Sequence, residues 1–84
     1  MAMFYFHLRN GTDVLLDAEG RELASDRVPA AAIAEARAII AADARDGHIL
    51  LDQNIDVRDA AGKTVHSIAF EDAVHVTHRA LAVP

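Results

Sequence analysis

FYFHLRNGTD, residues 4–13, is the stretch whose reading decides the fold. Phe4, Phe6 and Leu8 alternate with Tyr5, His7 and Arg9, the period-two pattern of a strand with one face buried and one face wet. Asn10-Gly11 then supplies a pair suited to the positive φ angles of a tight hairpin turn. A two-residue Asn10-Gly11 turn would set Arg9 opposite Thr12, His7 opposite Val14 and Phe6 opposite Leu15, with a second strand over Thr12–Asp17.

Further along, DAEG (17–20) reads as a turn ending on glycine, and 21–27 as irregular. Pro29 suits the first turn of a helix, where its missing N–H costs nothing. From there to Asp46 the chain is rich in alanine, and Gly47 provides a left-handed stop. On a helical wheel Ile33, Ala36, Ile40 and Ala44 fall on one line, with Ile39 beside it and Glu35 and Asp46 opposite. NIDVRD (54–59) alternates again, with Ile55 and Val57 inward. A turn at DAAGK (59–63) leads to TVHSIAF (64–70), a second hairpin. AVHVT (73–77) could add a short strand, and 78–84 reads as a loose tail. The order β-β-α-β-β predicts a two-layer α+β domain spanning 1–84, with an antiparallel four- to five-stranded sheet and one helix on one face.

Length and composition set the class. Eighty-four residues suffice for one domain, and a hydrophobic fraction of 52% is inflated by 18 alanines. A core this small leaves stability near balance, and no cysteine is present to staple it. Extra burial in a homo-oligomer, simplest as a dimer, is therefore expected. Eight basic residues against 13 acidic ones give a net charge of −5, the wrong sign for a nucleic-acid surface. The N-terminus carries no basic stretch ahead of an apolar run, so no secretory signal is read. No apolar run approaches the ~20 residues of a membrane span, and a cytoplasmic protein is expected.

Taken in order, FYFHLR, DAEGREL, the alanine-rich helix ending at Gly47, IDVRDAAGKTV and IAFEDAV resemble a family of short proteins common in alphaproteobacteria and classed as a domain of unknown function, DUF6894. The pieces that carry the resemblance are Phe4–Arg9, Asp17–Gly20, Pro29–Asp46 and Ala69–Ala73, and together they cover about residues 3–74. Two departures stand out: Ala69 where proline is common, and a histidine-bearing tail. The resemblance implies the fold and carries no activity, cofactor or partner with it.

Candidate sites are few. Tyr5, His7 and Arg9 share a strand face and, with Arg58 and His66, make a candidate interaction surface. Polar residues with apolar bodies also cover a solvated sheet face without further purpose. His66, His75 and His78 are the cheapest guess at a metal site, since neutral imidazoles ligate zinc. VHVTH favours a strand, however, which sends His75 and His78 to opposite faces. Asp13, Asp17 and Glu19 faintly resemble a calcium loop but miss its spacing. No nucleophile motif and no glycine-rich phosphate loop is present, and no cofactor is implied. The leading expectation is a non-enzymatic interaction module that self-associates through its sheet or pairs it with another, unidentified protein; the alternative is a metal- or small-ligand-binding protein using the histidines.

Overall fold

The computed structural model describes residues 1–78. Five strands and one long helix follow in the order β1 (Ala2–Asn10), β2 (Asp13–Leu15), β3 (Arg21–Leu23), α1 (Val28–Arg45), β4 (Gln53–Asp59), β5 (Thr64–Ala69), closed by a one-turn helix α2 (Phe70–Ala73). The α+β expectation holds, with one strand more before the helix than the sequence pattern showed.

β1 lies beside β4, and β4 beside β5, all antiparallel. On its other side β1 pairs with both β2 and β3, each antiparallel to it. β3 and β4 thus run parallel on either side of β1, and α1 is the crossover that joins them. Parallel strands need such a long connection.

The first hairpin departs from expectation by a slide of two residues. Leu8 faces Leu15, Arg9 faces Val14 and Asn10 faces Asp13, so the turn is Gly11-Thr12. Only Gly11 takes a positive φ there, at 61°, as in turns that need glycine at the first central position. Asn10 stays extended because its other side is paired with Gln53 of β4. A slide of two preserves which face each side chain uses. The segment read as irregular contains β3, which sets Arg21, Glu22 and Leu23 opposite Phe4, Met3 and Ala2.

α1 stops one residue before Asp46. Gly47, at φ 84°, sends its N–H to the Ala44 carbonyl at 3.0 Å, and the His48 N–H reaches the Asp43 carbonyl at 3.1 Å. These two bonds satisfy orphan carbonyls as a Schellman motif does. The buried stripe of the helix is Val28, Ala32 and Ala36, flanked by Ala31, Ile39 and Ile40. It is rotated by roughly a quarter turn from the Ile33–Ala44 line. The small side chains of Ala32 and Ala36 let the helix approach a sheet whose face already carries Phe4, Phe6, Ile55 and Val57. Arg37 fixes the rotation from the side, donating from Nε to the Ala73 carbonyl at 2.7 Å.

Phe70 and Ala73 of α2 complete this core, Phe70 with no exposed surface. The chain turns into helix after Ala69 and leaves 74–78 outside any regular element, so the strand read over 73–77 does not form. The tail read as loose falls, beyond His78, outside the described residues. Among the described residues no helix is long and apolar enough to cross a membrane.

Candidate functional site

The sheet face away from α1 gathers Tyr5, His7 and Arg9 of β1 beside Arg58, Asp56 and Asn54 of β4 as direct register partners. His66 is not among them. Its partner on β4 is Val57, a core residue, so it lies on the helix side near Phe4, Val28 and Pro29. Strand parity decides this, because paired residues share a face. The expected grouping of His66 with Tyr5, His7, Arg9 and Arg58 is corrected accordingly.

Three of these six side chains, His7, Arg9 and Asp56, are engaged in hydrogen bonds. Arg9 donates from Nε to Asp56 Oδ2 at 2.7 Å, and the Ser67 hydroxyl donates to Asp56 Oδ1 at 2.6 Å. The Arg9 bond is the main cause that pulls the Asp56 carboxyl below the usual carboxylate range. Burial opposes it, and Ser67 with the charges of Arg9 and Arg58 reinforces it. Arg58 is exposed on this face, and Tyr5 and His7 stack along the strand with ring centroids 6.5 Å apart.

His7 is tied to the edge of the sheet. Between Leu15 and Arg21 five residues stand opposite three of β1, so the edge strand is interrupted by two extra residues. An interruption of this kind strands backbone donors. Asp17 takes their place. Its Oδ2 accepts the Phe6 N–H at 3.0 Å, and its Oδ1 accepts those of Glu19 and Gly20, both at 3.1 Å. Its own N–H donates to His7 Nδ1 at 2.9 Å. His7 is therefore the tautomer with its proton on Nε2. Burial, the largest single influence on the Asp17 carboxyl, pushes it up. The three backbone donors and the Arg21 guanidinium together outweigh burial, and the net direction is down. Gly20, at φ 70°, lets the chain pass beside Tyr5, where an added Cβ would sit 2.8 Å from the ring.

These two carboxylates are poor candidates for proton transfer. A general base works best with a pKa near the operating pH, whereas both are held further from it than an ordinary carboxylate. The calcium reading is set aside for the same geometry, since both oxygens of Asp17 face N–H donors. Among the described residues no group of three or more His, Cys, Asp or Glu is placed to hold a metal ion. His75 and His78 are exposed beyond α2 and do not join His66 in such a group.

A family model described as a domain of unknown function, DUF6894, matches residues 3–71. The chain belongs to the DUF6894 family. No curated protein and no solved structure matches it. The two motifs that open the resemblance, the Phe-His strand and the Asp-x-Glu-Gly turn, meet at the interrupted edge of this DUF6894 domain. There they act on the backbone.

Sequence reasoning passed over Ser67, which had no motif around it, and treated Asp17 as a turn residue. It also passed over an open cleft of about 380 Å³ beside the interruption, where Leu8, Leu15, Leu16 and Ile39 meet. Arg21 spans its rim, 4.3 Å above the Phe6 ring and 2.9 Å from Glu35. The run Val14-Leu15-Leu16 was the available signal: three apolar residues in a row break the alternation of a half-buried strand.

Proposed function

We propose that this domain is a non-enzymatic interaction module that self-associates by pairing the β5 edge of one copy with β5 of a second. The observation that carries this reading is the contrast between the two edges of the sheet. Proteins blunt exposed edges with short strands, charges and bulges. The β2–β3 edge has all three: strands of three residues each, Asp13, Arg21 and Glu22, and the interruption at Asp17. β5 runs six residues, TVHSIA, without a formal charge. A bulge at Val65 is its one irregularity, leaving His66–Ala69 regular.

Among the described residues, no backbone partner outside β4 engages β5. Under the same edge, on the helix side, Phe4, Val28, Pro29 and Val65 line a hollow of about 240 Å³. A strand added to β5 would bring apolar side chains over that hollow. An uncharged edge also suits self-pairing, since two copies meet without like charges opposed. The small core supplies the driving force.

Sedimentation equilibrium across a concentration series tests the reading. A reversible dimer is expected, abolished by Val65→Lys and unaffected by Leu15→Lys on the other edge, with the circular dichroism of both variants unchanged. A wild-type monomer at every concentration, or a dimer broken by Leu15→Lys and not by Val65→Lys, would refute it.

A further inference from the structure

The segment between α1 and β4 leaves apolar side chains uncovered beside two acidic ones, Asp52 and Glu71. Ile49 and Leu50 are 62% and 45% exposed, while Leu51 turns in against the core. With Asp52 and Glu71 these three line a shallow hollow of about 460 Å³. Isolated exposed apolar residues need no explanation, but a contiguous group rimmed by polar ones marks a contact surface.

The charges around the hollow indicate what covers it. The C-terminus of a helix carries the negative end of its dipole and favours cations. The last turn of α1 holds Asp43 as well as Arg45, and its C-cap is Asp46. The His48 N–H bond to the Asp43 carbonyl folds the following loop back onto this helix end. Asp52 and Glu71 line the hollow itself, and Asp72 follows Glu71 in the first turn of α2. Ion pairs among the described residues are Arg9–Asp56 and Arg21–Glu35, and neither involves these acids. Asp52 and Glu71, the two acids that line the hollow, thus have no cationic partner among the described residues.

From this complementarity we infer that the hollow receives a cationic, apolar segment of a partner protein. An apolar side chain of the segment rests on Ile49, Leu50 and Leu51, and its Lys or Arg residues meet Asp52 and Glu71. The inference is independent of β5 pairing, since it uses a different surface.

The test is a titration of the full ¹⁵N-labelled chain with an amphipathic Leu/Lys peptide, followed by heteronuclear NMR. Peptides of the same pattern built from Ser/Lys and Leu/Glu separate charge from apolar contact. The Leu/Lys peptide is expected to shift the amides of Ile49–Asp52 and Glu71 selectively, and to bind tighter than either control. The double change Asp52→Asn with Glu71→Gln should weaken it about fivefold, and Leu50→Ser on the order of tenfold. Both variants alter exposed side chains, so an unchanged spectrum elsewhere certifies the fold. No binding, shifts centred away from the hollow, or equal binding of either control peptide would overturn the inference.

Discussion

Replacing Asp17 tests the central structural claim, that one carboxylate substitutes for the backbone of an interrupted strand. Asp17→Ala removes the acceptor of three N–H groups. Those of Glu19 and Gly20 lie toward solvent and regain water, so each loss is worth about 0.5–1 kcal/mol. The Phe6 N–H sits in the middle of β1, above a side chain that is 6% exposed. Its bond to a charged acceptor is worth about 1.5–3 kcal/mol. The sum, roughly 2.5–5 kcal/mol, is an upper range because the loop can relax. Asp17→Asn keeps one oxygen for Glu19 and Gly20 but turns an amide N–H₂ toward Phe6, and should cost about half as much.

The pH dependence follows with its sign. The Asp17 carboxyl is lowered in the folded protein, so its ionised form favours folding. That contribution is fully present above the unfolded value of about 3.9 and fades as pH falls through the folded value. Urea denaturation of wild type, Asp17→Asn and Asp17→Ala at pH 7 and again near pH 3 is the assay. The gap between wild type and Asp17→Asn should narrow at the lower pH. A loss below about 0.5 kcal/mol for Asp17→Ala, within the range of ordinary surface changes, would refute the reasoning. So would a gap to Asp17→Asn that ignores pH.

Two further substitutions probe the same frame. Gly20→Ala should lower stability by about 2 kcal/mol or more, through its positive φ and a Cβ only 3.0 Å from the Phe4 carbonyl oxygen, which pairing with Arg21 holds in place. Gly62→Ala shares the positive φ, at 85°, but meets open space, so thermal denaturation should show the smaller loss of about 1 kcal/mol. Phe70→Ala removes the largest fully buried side chain of the core and should cost about 3–5 kcal/mol. That is comparable to the lower end of stability for a domain this size, about 4 kcal/mol. A chemical denaturation midpoint close to wild type would show that α2 is not part of the core.

The long elements were legible because their signals are local. Alternation in FYFHLR, Pro29 and Gly47 each act within a few residues, and β1 and α1 appear where those signals place them, while the Asn-Gly pair marks the first hairpin but misses its register by two residues. What escaped depends on distant partners. Arg-Glu-Leu at 21–23 has no pattern of its own and becomes β3 only because Ala2–Phe4 lies open beside it. The rotation of α1 is set by the phenylalanines it meets and by Arg37 reaching α2, neither visible on a wheel. His66 was misplaced although a local clue existed. Ile68 and Phe70 share its parity, and both face the core.

The candidate site was less legible than the fold, for a reason the structure makes concrete. Asp17, Gly20, Phe6 and His7 belong to the motifs that make the chain recognisable, and their contacts are with backbone N–H groups and with one another. Gly20 is needed because Tyr5 lies against it. Residues so engaged explain why this strand can be interrupted without unravelling, and they leave little capacity for a ligand. Recognition chemistry must then come from groups that the fold does not consume. The uncharged edge of β5 and the acid-rimmed Ile49–Leu51 hollow are two such places. Leu50 and Val65 are exposed there, at 45% and 44%, and lie outside the core cluster. A family defined by its structural residues can therefore keep one fold while its members differ in what they bind. Exchanging residues 48–50 and 52 between two members, with the core-packed Leu51 kept, should transfer peptide preference without moving either melting temperature by more than a few degrees, the effect of about 0.5 kcal/mol. A large destabilisation on exchange would show that this loop also belongs to the frame.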